Sequence, residues 1–208
     1  MTTAGDAAPD RSPSDWIVRL HTDRGGDPDD NPPGADPTIV LAGDVVAHRG
    51  HAGTRFGSVS VLRRASTEPL RLTSNTIDLR CESLDLPESH NAEPAGDTDH
   101  VVHVLCSRFE DPEVIEEFLE ATRGLNTYSL GRETWLEVTA HPTDPDGGMS
   151  EHPFIDDVFF GRYRSVDDWL ALHEWEPWRR EVEKLEAAAT TMFHLVVAPT
   201  INRLAAYR

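Results

Sequence analysis

His173 and Tyr163, with the aromatic residues around them, are the side chains of this 208-residue chain best suited to chemistry on an organic ligand. A histidine titrates close to neutrality, so it can take a proton from a weak acid such as a phenol. Trp135, Phe159, Tyr163, Trp169 and Trp178 bring large π faces that stack on flat aromatic molecules and exclude water. His103 shares one side of a strand-like run with Leu105 and Phe109, opposite Val102, Val104 and Cys106, and so faces either such a pocket or the inside of a barrel. Arg108 and Arg162 each offer a guanidinium able to hold an enolate or peroxide anion if desolvated. All of these residues also have plainer uses. Aromatics at strand and helix spacing build cores, a helix histidine hydrogen-bonds within the core, and arginines near strand ends form salt bridges.

His141, His152, Asp156 and Asp157 are of metal-ligand type, but their spacing around a Gly- and Pro-rich loop matches no compact site, and no metal is expected. Cys81 and Cys106 stand in strand-like runs without ligand spacing and are read as reduced core thiols. No GxGxxG, GxxxxGK[ST], GxSxG, HExxH or CxxC pattern occurs, so dinucleotide-fold, P-loop, serine-hydrolase and zinc-protease chemistry lack support.

The elements that must position these residues follow from periodicity. Residues 154–163 are β-prone, and Ser165 with Asp168 forms a capping box that starts a helix. Trp169, Leu170 and His173 are expected on one face of it. Pro177 suits the first turn of a second helical segment, which continues through Trp178, Val182, Leu185 and Met192. Upstream, 100–109 reads as a strand, 113–122 as a helix that Gly124 ends, and 127–141 as a strand or bent pair of strands. The segment 193–197 is a last strand, so the order is β-α-β-β-α-β over 99–208, that of a ferredoxin-like sheet with helices on one face.

The first half is different in kind. Runs at 16–21, 38–48, 55–64 and 70–80 are β-like, and SVSVLRRA and TSNTIDLRCESL alternate as half-buried strands do, so 16–86 is expected to be β-rich. Residues 1–15 are expected to be a disordered tail, 23–37 a mobile loop and 87–98 a linker, since Pro, Gly and Asp crowd them. The expected fold class is therefore α+β, a ferredoxin-like C-terminal half with a β-rich N-terminal half.

A hydrophobic content of 38% supports a real core, and no apolar run is long enough to span a bilayer. With a polar, Pro-containing N-terminus, the chain is expected to be cytoplasmic. The net charge of −18 repels phosphate backbones, which argues against nucleic-acid and anionic-membrane partners.

Residues 99–208 resemble the antibiotic-biosynthesis monooxygenase-like family of the dimeric α+β barrel superfamily, through the element order and through Tyr163, the Ser165 cap and His173 ten residues after Tyr163. The resemblance implies a homodimer packed sheet on sheet, with a pocket between the sheet and helices of each subunit. It implies an oxygenase of aromatic polyketide tailoring, with dioxygen as co-substrate and His173 as the base. Trp135, Phe159, Trp169, Trp178 and Arg162 would bind substrate, and Tyr163, His103 and Arg108 would assist the chemistry. The chain departs from cofactor-free quinone-forming members, which carry strand asparagines where Ser107, Arg108 and Phe159 stand here and a tryptophan in place of Tyr163. Angucycline ring-opening oxygenases are similar in length and use reduced flavin. The cofactor expectation is accordingly none tightly bound, or FADH2 or FMNH2 delivered by a partner reductase. Haem, which His173 would ligate in haem-degrading relatives, is not favoured. A non-redox cyclase or isomerase and a small-molecule binding protein are the alternatives on the same fold.

Overall fold

Alternate residues of the β-runs face a common interior, and that alternation builds a barrel. In the computed structural model, which describes residues 14–22, 39–50, 55–65, 69–73, 75–84, 99–125, 129–141 and 154–204, four strands come first. They are β1 (Ser14–His21), β2 (Ile39–Gly50), β3 (Ser58–Ala65) and β4 (Thr76–Leu84). After these come β5 (Val101–Phe109), α1 (Glu113–Ala121), β6 (Ser129–Ala140), β7 (Asp157–Tyr163), α2 (Val166–Glu174), α3 (Glu176–Ala188) and β8 (Ala189–Asn202). The stretches 23–37 and 87–98 lie outside the described residues, and β1 begins two residues inside the expected tail.

The strands close in the order β1-β3-β2-β8-β5-β7-β6-β4, every neighbouring pair antiparallel. The expected fold class is thereby corrected. A ferredoxin-like half would leave β8 and β6 as sheet edges, but β2 pairs with β8 and β4 pairs with β6. The two halves form one closed eight-stranded barrel, because joining two sheets that each have an apolar face and unpaired edges satisfies both needs at once. The inner face that a partner subunit was expected to cover is packed by β1–β4 of the same chain.

That interior is solid. Val18, Leu20, Val104, Phe160, Phe193 and Leu195 belong to one buried cluster inside the barrel, so it is a packed core and not a channel. Cys81 and Cys106 sit in it as free thiols, and burial pushes both above the ordinary thiol range. The outer faces of β5, β7 and β8 carry a second layer. On that side α1, α2 and α3 pack, so β5 is buried on both faces along nearly its whole length.

Helix starts follow their local chemistry. The Ser165 side chain accepts a hydrogen bond from the Asp168 amide at 3.1 Å, and Pro177 occupies the first turn of α3. The apolar face of α2 is shifted from expectation. Leu172 is fully buried with Trp169 and His173, while Leu170 is 43% exposed. The expected strand 70–80 begins later, at Thr76, because the chain turns first: the Thr73 amide donates to the Thr76 carbonyl at 2.9 Å.

Candidate active site

The outer layer leaves a cavity between the β8-β5-β7-β6 sheet and the helices α1 and α3. It encloses about 620 Å³ of empty space, counted out to its open mouth, and its walls are mainly apolar. His103, Trp135, Phe159, Tyr163, His173 and Trp178 all line it, which brings six of the nine sequence-predicted site residues to one place.

The other three lie elsewhere. Trp169 is fully buried one layer behind, packed on His173 at 4.3 Å between ring centroids and on His103 at 5.6 Å. Arg108 projects from the opposite side of β5, where it pairs with Asp156 at 3.4 Å and lies over the Phe154 ring. Arg162 is buried on the opposite side of β7 from Phe159 and Tyr163, as strand alternation requires. Neither arginine reaches the cavity. Among the described residues no group of His, Cys, Asp and Glu is placed to hold a metal ion.

Two ionisable lining residues, His194 and Arg132, escaped the sequence reading. His194 stands on β8 between Phe193 and Leu195, which point into the barrel, so alternation alone assigns it to the outer face. Arg132 is harder to see. β6 pairs with β7 through two irregularities, between Ser129 and Gly131 and between Arg132 and Thr134. Each adds a residue, so Ser129, Arg132 and Trp135, three apart rather than two, stand opposite Tyr163, Gly161 and Phe159 and share the pocket face. Arg132 lies over the Phe159 ring at 5.6 Å, and burial pulls its basicity below the usual guanidinium range.

Three histidines meet at the inner end. His103 Nε2 and His194 Nδ1 are 2.9 Å apart, and the His173 ring is 6.1 Å from His103 and 5.4 Å from His194. Burial holds all three below the ordinary imidazole range, His173 at about 4, so they are neutral at physiological pH. His103 Nδ1, His173 Nε2, His194 Nε2 and the Trp178 indole N–H have no hydrogen-bond partner among the described residues. A buried group left unpaired costs about 1–3 kcal/mol, so a ligand with a polar substituent recovers part of that cost.

No family model matches this chain, and no curated protein does. Among solved structures, an anthrone oxidase-like protein is 12% identical over 88% of this chain and 91% of its own, with a TM-score of 0.48. A protein of Lactobacillus acidophilus NCFM with a provisional monooxygenase assignment is 11% identical over 89% of this chain and 93% of its own, at a TM-score of 0.40. One of Fusobacterium nucleatum with the same kind of assignment is 7% identical over 89% and 91%, at 0.42. At these values the likeness carries no function, which must come from the residues.

Proposed function

We propose that the chain is an oxygenase that oxidises a phenol or hydroquinone ring of aromatic polyketide type, held between the sheet and the helices. One observation carries this reading: three neutral histidines with unpartnered ring nitrogens line a mainly apolar, aromatic-walled cavity. A flat ring stacks on Trp135 and Phe159, and its hydroxyl donates to an imidazole nitrogen. Loss of that proton gives a phenolate, and Arg132 is the cation in the cavity wall that would face it. Dioxygen is a triplet that reacts slowly with closed-shell molecules, and an electron-rich phenolate is a competent donor. Conversion of a phenol to a quinone consumes one dioxygen and releases one water, so the atoms balance without an external reductant.

Among the described residues Arg132 is the one guanidinium in the cavity wall, and they form no glycine-rich turn there to cradle phosphate. The lining therefore does not fit a resident flavin nucleotide or the two propionates of haem. A reduced flavin, if the reaction uses one, comes from a partner reductase. The test is oxygen consumption and quinone absorbance with a panel of polycyclic phenols, run in air and under argon. Oxygen-dependent quinone formation is the expected result. Equal product under argon would assign the pocket to a cyclase or isomerase, and binding without product would assign it to a binding protein.

A further inference from the structure

We infer that Glu186, His194 and His103 form a relay, reaching from α3 through β8 to β5, that leaves Nδ1 of His103, a residue of the cavity wall, unprotonated. Its use in proton abstraction rests on the phenol chemistry proposed above, but its existence does not.

His103 and His194 are diagonal neighbours on adjacent strands, since Leu105 stands opposite His194 and His103 opposite Val196. Their ring planes differ by 5° and their centroids are 5.0 Å apart, a spacing of rings set edge to edge, with the 2.9 Å contact between them. One proton lies in that contact, and it belongs to one ring or the other. The far side of His194 decides which. Its Nε2 faces Glu186 Oε1 at 3.8 Å, in a place where His194 is 2% exposed.

A lone pair on Nε2 would oppose the carboxylate lone pairs in a poorly solvated setting, whereas an N–H is attracted and closes to a hydrogen bond with a small side-chain rotation. With Nε2 of His194 protonated, its Nδ1 must accept, so His103 donates from Nε2. That leaves Nδ1 of His103 bare, without a hydrogen-bond partner among the described residues. The carboxylate is itself held. Arg49 of β2 contacts Glu186 Oε1 at 3.0 Å and Oε2 at 3.2 Å. His48 and His173, the other imidazoles near the pair, are both held below the ordinary imidazole range by burial.

In the reaction the substrate O–H bond breaks, its electron pair stays on oxygen, and the proton forms an N–H bond at His103 Nδ1. The positive charge then spreads over two coupled rings backed by the Glu186 carboxylate. His103 is the base, and His194 and Glu186 are positioning residues.

Long-range proton–nitrogen NMR of the ¹⁵N-histidine-labelled protein, free of ligand, reads the tautomers directly. His103 and His194 are expected to carry their protons on Nε2, and Glu186→Gln, which can donate to His194, is expected to shift His103 towards the Nδ1–H form. Wild-type His103 protonated at Nδ1, or identical tautomers in wild type and Glu186→Gln, would overturn the relay. The functional arm uses 4-nitrophenol, whose absorbance separates phenol from phenolate. The ionised fraction of bound probe is expected to fall roughly tenfold in Glu186→Gln and to recover in Glu186→Asp. An ionised fraction equal in wild type and Glu186→Gln would overturn the proton-abstraction role. If the wild type binds no 4-nitrophenol, the phenol reading fails while the NMR result still judges the relay.

Discussion

The Nδ1 of His173 lies 2.8 Å from the carbonyl oxygen of Trp169, one helical turn earlier, with the two rings packed at 4.3 Å. A carbonyl can only accept, so Nδ1 carries the proton and Nε2 presents a lone pair. Burial puts this imidazole at about 4 and lowers His103 as well, but His173 has no hydrogen-bonded second imidazole with which to share an added proton, as His103 has in His194. His173 is thus suited to accepting a hydrogen bond and poorly suited to keeping a proton. His173→Ala should weaken hydroquinone binding by about tenfold, the loss of the hydrogen bond from the ring's second hydroxyl. His103→Ala should lower turnover on the order of 10²–10⁴-fold, the scale of a positioned base. Dissociation constants from tryptophan fluorescence, set beside kcat, separate the two. A His173→Ala variant with the kcat defect of His103→Ala would return the base to His173.

Arg132 and Gly161 face each other across β6 and β7, and the absent side chain of glycine leaves room for the guanidinium over Phe159. A Cβ at Gly161 would sit 3.4 Å from both the Phe159 and Tyr163 rings, so alanine just fits and a larger side chain enters the cavity. Gly161→Val should abolish binding of polycyclic phenols while the barrel still folds, as judged by circular dichroism. Arg132→Gln should cost affinity mainly for the ionised ligand, so its effect on 4-nitrophenol should grow above the pKa of the probe. Equal weakening at pH 6 and pH 9 would show that Arg132 acts by shape rather than charge.

Much of this was legible in the chain. The Ser165 cap, Pro177 at a helix start and the alternation around His103 fixed local structure, because each depends on neighbours within a few residues. The barrel was not legible, since closure depends on β2 meeting β8 and β4 meeting β6, and strand alternation looks the same whichever partner supplies the pairing. Arg132 was hidden by the two β6 irregularities, which break the period of two that sequence reading relies on. Leu170 was misassigned by a similar margin: helical spacing admits neighbouring positions, and packing chose Leu172.

Stability should fall as the solution is acidified below neutrality. His103, His173 and His194 are held below their ordinary value of 6.5, His173 at about 4. Between those limits the unfolded chain binds protons that the folded one does not, so the free energy of unfolding rises with pH there and drops on acidification. Each such histidine contributes about 1.4 kcal/mol per pH unit at most. Asp157 works in the opposite sense, since its pKa is raised from 3.8 to about 6 and it therefore loses stability as pH rises through that range. Three histidines outweigh one partly exposed carboxylate. The urea midpoint should be lower at pH 5.5 than at pH 7.5, and His173→Gln should make the difference smaller. A midpoint that is level or higher at pH 5.5 would mean that the imidazoles are charged in the folded protein.

Asp157 also links acidity to the cavity wall. The Trp135 indole N–H donates to Asp157 Oδ1 at 3.1 Å, and the indole packs on Phe159 with centroids 5.5 Å apart, so one carboxylate anchors two wall residues. Burial raises the Asp157 pKa to about 6, the Trp135 hydrogen bond lowers it, and Asp156 and Glu137 raise it further. A donor to the charged form favours that form, so Trp135→Phe should move the Asp157 titration upward. Carboxyl ¹³C NMR should give a wild-type midpoint near 6 and a higher one in Trp135→Phe. Below that midpoint the carboxylate is protonated, the anchor weakens, and phenol affinity should decline. Asp157→Asn should show the weaker affinity at every pH and no dependence in this window. Retention of the wild-type pH profile in Asp157→Asn would place the titrating group elsewhere.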